Sequence, residues 1–318
     1  MELHDRALAR ACDGASEHRR DRWAGTQSVE DLGRRQTPLV HLRRVAPEAP
    51  LLFAKLEWYG ATGSVYDRTY PRLFDEAESR GALTRDVEVL EAGMGIAGLA
   101  CATVSARRGY RCTIVVPSRA KAITRAMQET GASVELTPGA DGDAVRAVQR
   151  VGAIRAAAPA RYWVPDHFAN PCAVDACADS MAPEIWSQTD GAIGAIVAGV
   201  GCGAVLTGLG RYLHARDPRI RFYAVEPEEC PLLSRGRSGP HAVAGLAPGF
   251  IPENLDLSVL AGVIVVNMEE GLTVSRRLAR EEGLLSGLAA GTVIAAALKL
   301  GQRHRDLTTI VTVLEHGQ

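Results

Sequence analysis

Four features of this sequence could move a proton, attack an electrophilic carbon or hold an anion. Cys202 stands in the glycine-rich turn AGVGCG, which opens onto the helical stretch AVLTGLGRYLHA. A helix N-terminus lowers a thiol pKa toward the nucleophilic thiolate; the plainer role is a small residue packed in a tight turn. The backbone N–H groups of Val200, Gly201, Cys202, Gly203 and Ala204 can cradle an anion, because that interaction needs no side chain. His167, in HFANP, is an acid/base near neutral pH or a neutral hydrogen-bonding group. Tyr66, in GATGSVYDR, is a general acid, a donor to a substrate carbonyl, or a large side chain that fills space.

The elements that must position these residues read as α/β. LLFAKLE (51–57), VEVLEAG (87–93), CTIVVP (112–117) and SVELTPG (133–139) are short apolar runs of strand length. AIVAG (195–199), RFYAVEP (221–227), GVIVV (262–266) and a terminal TIVTVL repeat the theme in the second half. Amphipathic stretches such as DRTYPRLFDEAESRG and AKAITRAMQETG lie between them and end in glycine, as helix C-termini do. Strands alternating with helices predict parallel sheets covered by helices on both faces. Two such series predict two α/β domains with a cleft between them: a small one over 60–170, and a large one from 37–59 and 171–318. Residues 1–36 stand apart as a polar arm in which arginines and acidic residues interleave, suited to a solvated helix or to embracing a dimer partner.

Composition narrows the classes. The 318 residues are 47% apolar and 23% charged, with net charge −1, which speaks against nucleic acid and membrane surfaces as partners. No run of about 18 apolar residues suggests a membrane span, and the charged start is not a secretory signal. Seven scattered cysteines without a CxxC predict a reducing, cytoplasmic setting and no zinc site. The match to G-x-G-x-x-G in AGVGCGAVLTG is by itself a weak dinucleotide signature.

A longer set of segments falls in a recognisable order: TPLVHL, AKLEWYGATGSVYDR, VEVLEAGMGIAGLA, HFANP, APEIWSQTDG, AGVGCGAVLTGLGRYL, GPHAVAGLAPGFIPENLD and RRLAREEGLLSGLAAG. From about Thr37 to Leu314 the chain resembles the cysteine synthase family of fold type II enzymes, which use pyridoxal phosphate. The resemblance implies a two-domain fold of the tryptophan synthase β type and a two-fold homodimer. It also implies where the family's working residues stand. Tyr66 occupies the position of the lysine that forms the Schiff base. Met94, Ile96 and Ala97, around Gly95, replace the Ser, Asn and Thr of the loop that binds the substrate carboxylate. Gly201-Cys202-Gly203-Ala204-Val205 keeps the turn of the phosphate loop without its hydroxyls. Ala290 replaces the serine at the pyridine nitrogen, and His167 the glutamine that lines the substrate side. Asp67, Arg68 and His241 hold retained positions and read as scaffold.

Departure at five separated sites predicts that the fold is kept and pyridoxal phosphate is absent, with no cofactor in its place. The expected protein is then a pyridoxal-phosphate-independent enzyme. It would carry out acid/base elimination, addition, cyclisation or group transfer on a small anionic metabolite, with Tyr66, His167 and Cys202 as catalytic residues. The Ala/Arg/Gly-rich composition suggests a bacterial specialised-metabolite pathway. The alternative is a pseudoenzyme that acts as a binding or regulatory subunit; a working cysteine synthase is set aside.

Overall fold

The computed structural model describes residues 36–47, 50–93, 95–117, 121–138 and 144–315. Apart from Gln36, the expected N-terminal arm lies outside the described residues, as does Met94.

Each apolar run named above becomes a strand. The first sheet joins β1 (Leu39–His41), β2 (Leu51–Leu56), β7 (Ala195–Gly199), β8 (Arg221–Pro227), β9 (Leu260–Val266) and β10 (Thr309–Leu314), in the order β1-β2-β10-β7-β8-β9. Only β1, paired with β2, runs antiparallel. The second sheet is β5 (Ser133–Thr137), β4 (Cys112–Pro117), β3 (Glu88–Ala92) and β6 (Tyr162–Trp163), parallel throughout. Strands covered on both faces need apolar residues on both. Accordingly, every residue of β3 and β10 is buried.

Helices fill the crossovers. In the first half these are α1 (Tyr66–Ser79), α2 (Ile96–Arg107), α3 (Lys121–Glu129) and α4 (Val145–Ala157). The two helices that the sequence ends in glycine do so: Gly81 and Gly131 take φ of +68° and +91° just past α1 and α3, where a Cβ would be strained. In the second half α5 (Cys172–Ala176) passes through a π-helical turn (Cys177–Met181) into α6 (Ala182–Gln188). There follow α7 (Ala204–His214), α8 (Leu232–Arg235), α9 (Met268–Arg277) and α10 (Leu288–Arg303). One apolar cluster runs from Val89 and Ile114 through Tyr70 to Ile196 and Val311, so the two sheets share a core.

A buried ionic network fixes α1 to the six-stranded sheet. Arg68 donates to Glu57 at 2.7 Å and to both carboxylate oxygens of Glu184 at 2.7 and 2.9 Å. Lys55 on β2 donates to Glu184 at 2.6 Å, and to Gln188 and the Thr37 carbonyl. Burial pushes the Lys55 ammonium below its usual range, and it would push the Arg68 guanidinium down too. The contacts of Arg68 with Glu184 and Glu57 outweigh that and leave Arg68 raised. One residue earlier, Asp67 accepts the backbone N–H groups of Thr62 and Gly63 at 3.0–3.1 Å, closing the loop before the helix. Asp67 and Arg68 thus set where Tyr66, the first residue of α1, stands.

Candidate functional site

The carboxyl ends of β7 and β10 meet the start of α1 around a cavity of about 50 Å³. Ligands in parallel α/β sheets bind beyond the carboxyl ends of strands. After β7 the chain turns through Val200, Gly201, Cys202 and Gly203 into α7. Gly203 has a φ of +80°, and a Cβ there would lie 2.7 Å from Leu255 Cβ. A Cβ on Gly201 would meet the Gly245 carbonyl at 2.6 Å and Tyr66 Oη at 3.2 Å. The phenol hydroxyl therefore rests against the glycine turn itself. The GPHAVAGLAPGFIPENLD loop backs this turn: the Ala247 N–H donates to Val200 O at 2.7 Å. His241 holds the loop. Its Nδ1 accepts the Val243 N–H at 3.2 Å, which leaves Nε2–H to donate to Ala247 O at 3.0 Å.

The structure brings Tyr66, Gly201, Cys202, Gly203 and Ala290 to the wall of one cavity. Tyr66 is only 6% exposed. Burial, then the neighbouring Cys202 and Glu315, push its hydroxyl well above the usual range, so it is a donor throughout neutral pH. The hydroxyl lies beside the Cys202 thiol. At Cys202 the helix-terminus argument loses to desolvation. Burial pushes the thiol up to about 11, although the Ala204 N–H and the Tyr66 hydroxyl pull the other way. A thiol at that value is protonated at neutral pH.

Other named residues stand elsewhere. His167 is fully buried behind Tyr66, its ring edge-on to the phenol with centroids 5.4 Å apart, and it is outside the cavity wall. Val200 and Ala204 are buried at the base of the turn. Ala97 is buried in the first turn of α2, and Ile96 packs on the same core. Gly95, at φ +57°, faces open space: an added Cβ would meet no atom within 4 Å.

Sequence reading missed Glu315. It follows β10 directly, lines the cavity beside Tyr66 and Cys202, and accepts the Val65 N–H at 3.3 Å. Burial, with Glu57 and Asp67 adding repulsion, pushes its carboxyl up to about 7, so it changes charge near neutrality. The signal that could have found it is a carboxylate at the carboxyl end of a parallel strand. Among the described residues no cluster of His, Cys, Asp and Glu is built to hold a metal, and no helix is long and apolar enough to cross a membrane.

With this geometry in place, comparison with known proteins decides the family. The family model described as "Pyridoxal-phosphate dependent enzyme" matches residues 30–315. The chain belongs to that family of enzymes. It is 37% identical over 273 residues to cysteine synthase A of Escherichia coli, covering 83% of this chain and 84% of that protein. It is 34% identical over 285 residues to a cysteine synthase of Staphylococcus aureus, covering 87% and 90%. Among solved structures, a lysine-to-alanine mutant of O-ureido-L-serine synthase with O-ureido-L-serine bound superposes with a TM-score of 0.86. That match is at 30% identity, over 92% of this chain and 90% of that one. The fold is accordingly the fold type II α/β architecture that the resemblance implies.

These findings correct the expected function. A pyridoxal-phosphate-independent enzyme without cofactor, and a pseudoenzyme, are both overturned: the family is one of pyridoxal-phosphate-dependent enzymes, and the relatives are cysteine synthases. The sequence argument counted lost side chains. A phosphate is held largely by main-chain N–H groups at a helix N-terminus, and these remain when hydroxyls are lost.

The fit of the cofactor to these residues is uneven. The glycine turn and the start of α7 suit its phosphate, because a Cβ at Gly201 would intrude on the cradle, toward the Gly245 carbonyl and Tyr66 Oη. The other end lacks a partner. The sequence contains three lysines, Lys55, Lys121 and Lys299. Lys55 is sealed in the ionic network and Lys299 pairs with Glu270 at 2.6 Å, so among the described residues no lysine lines the cavity. With Tyr66 in place the cavity has room for a few waters or one small anion.

Proposed function

We propose that this chain is a divergent enzyme of the pyridoxal-phosphate-dependent family in which Tyr66 stands at the lysine's position, and that it acts on a small anionic, amino-acid-derived substrate of the β-substituted serine type. The observation that carries the reading is the meeting of Tyr66 Oη with the glycine turn in a cavity that also holds Glu315. The names of the relatives, cysteine synthase and O-ureido-L-serine synthase, supply the substrate class.

The N–H groups of Gly201, Cys202 and Gly203 would hold the phosphate, and the partial positive charge at the start of α7 would stabilise it. Pyridoxal phosphate, when bound, would supply an electron sink for charge at the substrate's α-carbon. Tyr66 presents its hydroxyl as a donor at the glycine turn. Glu315 accepts or returns a proton at its carboxylate, since its pKa of about 7 lies close to the working pH. Leu246, Ala289, Ala290 and Val293 keep water from the inner wall. No step is assigned to a lysine. Soluble small-molecule turnover in a homodimer is the assembly expected of it.

Borohydride trapping tests the reading. The protein is mixed with pyridoxal phosphate, reduced, and its mass measured; a parallel sample is dialysed without reduction. The expected result is saturable binding that dialysis reverses, with no stable adduct in the cleft of the native chain and a new adduct at position 66 in Tyr66→Lys. A stable adduct on the native cleft, or no saturable binding at all, would defeat the reading.

A further inference from the structure

Behind Tyr66 lies a second, fully enclosed set of polar groups that the cavity does not use. His167 Nδ1 lies 3.2 Å from Tyr70 Oη and 3.3 Å from Glu91 Oε1. His167 is 0% exposed and Glu91 1%. Glu91, the last residue but one of β3, has a fixed geometry, because the Ala92 N–H donates to the same Oε1 at 2.8 Å. Two atoms of the pair have no partner among the described residues: His167 Nε2 and Glu91 Oε2. Buried polar atoms are nearly always satisfied, so an unpartnered pair on touching side chains calls for a reason.

The proton on the imidazole can be located by elimination. If Nδ1 were bare, it could accept the Tyr70 hydroxyl, but its lone pair would also face a carboxylate oxygen 3.3 Å away, and Nε2–H would be a buried donor with nothing to bond. If Nδ1 carries the proton, it donates toward Glu91 Oε1 with Tyr70 Oη beside it, a charge-assisted contact in a water-free place. Nε2 is then a bare acceptor. The backbone is bent to reach this arrangement. Asp166, just before His167, has a φ of +53°, a strained value for a residue with a Cβ. Asn254 Nδ2 pins the His167 carbonyl at 2.9 Å.

We infer that Glu91 is a positioning residue for His167: it holds the imidazole in the Nδ1–H tautomer and keeps Nε2 as a preformed hydrogen-bond acceptor behind the Tyr66 phenol.

Long-range proton–nitrogen NMR on histidine-labelled full-length protein reads the tautomer directly, with His167 assigned by its loss in His167→Gln. The native protein should show Nδ1 protonated and Nε2 bare at neutral pH. Glu91→Gln, which keeps an acceptor oxygen, should retain that pattern. Glu91→Leu should lower the ratio of Nδ1–H to Nε2–H roughly tenfold or more, as loss of a bond to a charged partner implies. Protonated Nε2 in the native protein, or an unchanged ratio in Glu91→Leu, would overturn the inference. If the leucine variant does not fold, the native spectrum still decides. Inorganic phosphate added to uniformly nitrogen-15-labelled protein should move the amide signals of Gly201 to Gly203. Failure there counts against the cradle and leaves the tautomer result standing.

Discussion

Replacing Glu315 by glutamine should stabilise the protein at alkaline pH and do little at acid pH. The carboxyl of Glu315 is raised from 4.5 to about 7, chiefly because it is buried beside the cavity. A folded-state pKa above the unfolded one means that the native state binds the extra proton between those values. Stability is therefore fully present below about 4.5 and falls as pH rises through about 7. The full shift corresponds to an upper value of about 3.5 kcal/mol, at roughly 1.4 kcal/mol per unit, and partial exposure reduces it to about 2 kcal/mol. Glutamine keeps an oxygen for the Val65 N–H, 3.3 Å away in the native protein, and cannot ionise. Urea unfolding of both proteins at pH 5 and pH 8 measures the effect. The expected result is near-equal stability at pH 5 and an advantage of about 2 kcal/mol for Glu315→Gln at pH 8. Parallel pH profiles for the two proteins would refute the claim that this carboxylate bears an uncompensated charge.

Arg68→Leu should cost about 3–5 kcal/mol in the same assay, because it leaves Glu57 buried without its cation and strips Glu184 of all but Lys55. Gly201→Ala should abolish phosphate binding measured by calorimetry and cost about 1–3 kcal/mol of stability, since the added Cβ would sit 2.6 Å from the Gly245 carbonyl, which is backbone and cannot swing aside. Light scattering at micromolar concentration should give the mass of a two-fold homodimer; a stable monomer would reject the assembly implied by the family resemblance.

The fold was legible because buried parallel strands need apolar residues on both faces and so stand out as short runs. β10, TIVTVL, is the plainest instance. β1 and β6 were not legible: at three and two residues they carry too little pattern to separate them from loop. The site was half legible. The glycine turn and Tyr66 lie together because both belong to segments recognisable in order along the chain. His167 faces the Glu91 carboxylate rather than the cavity, since Asp166 turns the backbone before it, and no local pattern announces a left-handed aspartate. Cys202 illustrates a competition that sequence cannot weigh: the helix terminus is visible in the order of residues, whereas the desolvation that overrides it depends on what packs around the thiol.

The ionic network under α1 also has a mechanical meaning. Any sliding of that helix would pull Arg68 from Glu57 and Glu184 while Arg68 and Glu57 remain out of water, so the helix that carries Tyr66 is moored to the six-stranded sheet. A molecule entering the cavity therefore meets a stationary phenol and must shape itself to Tyr66, because the helix beneath cannot slide without stranding charge.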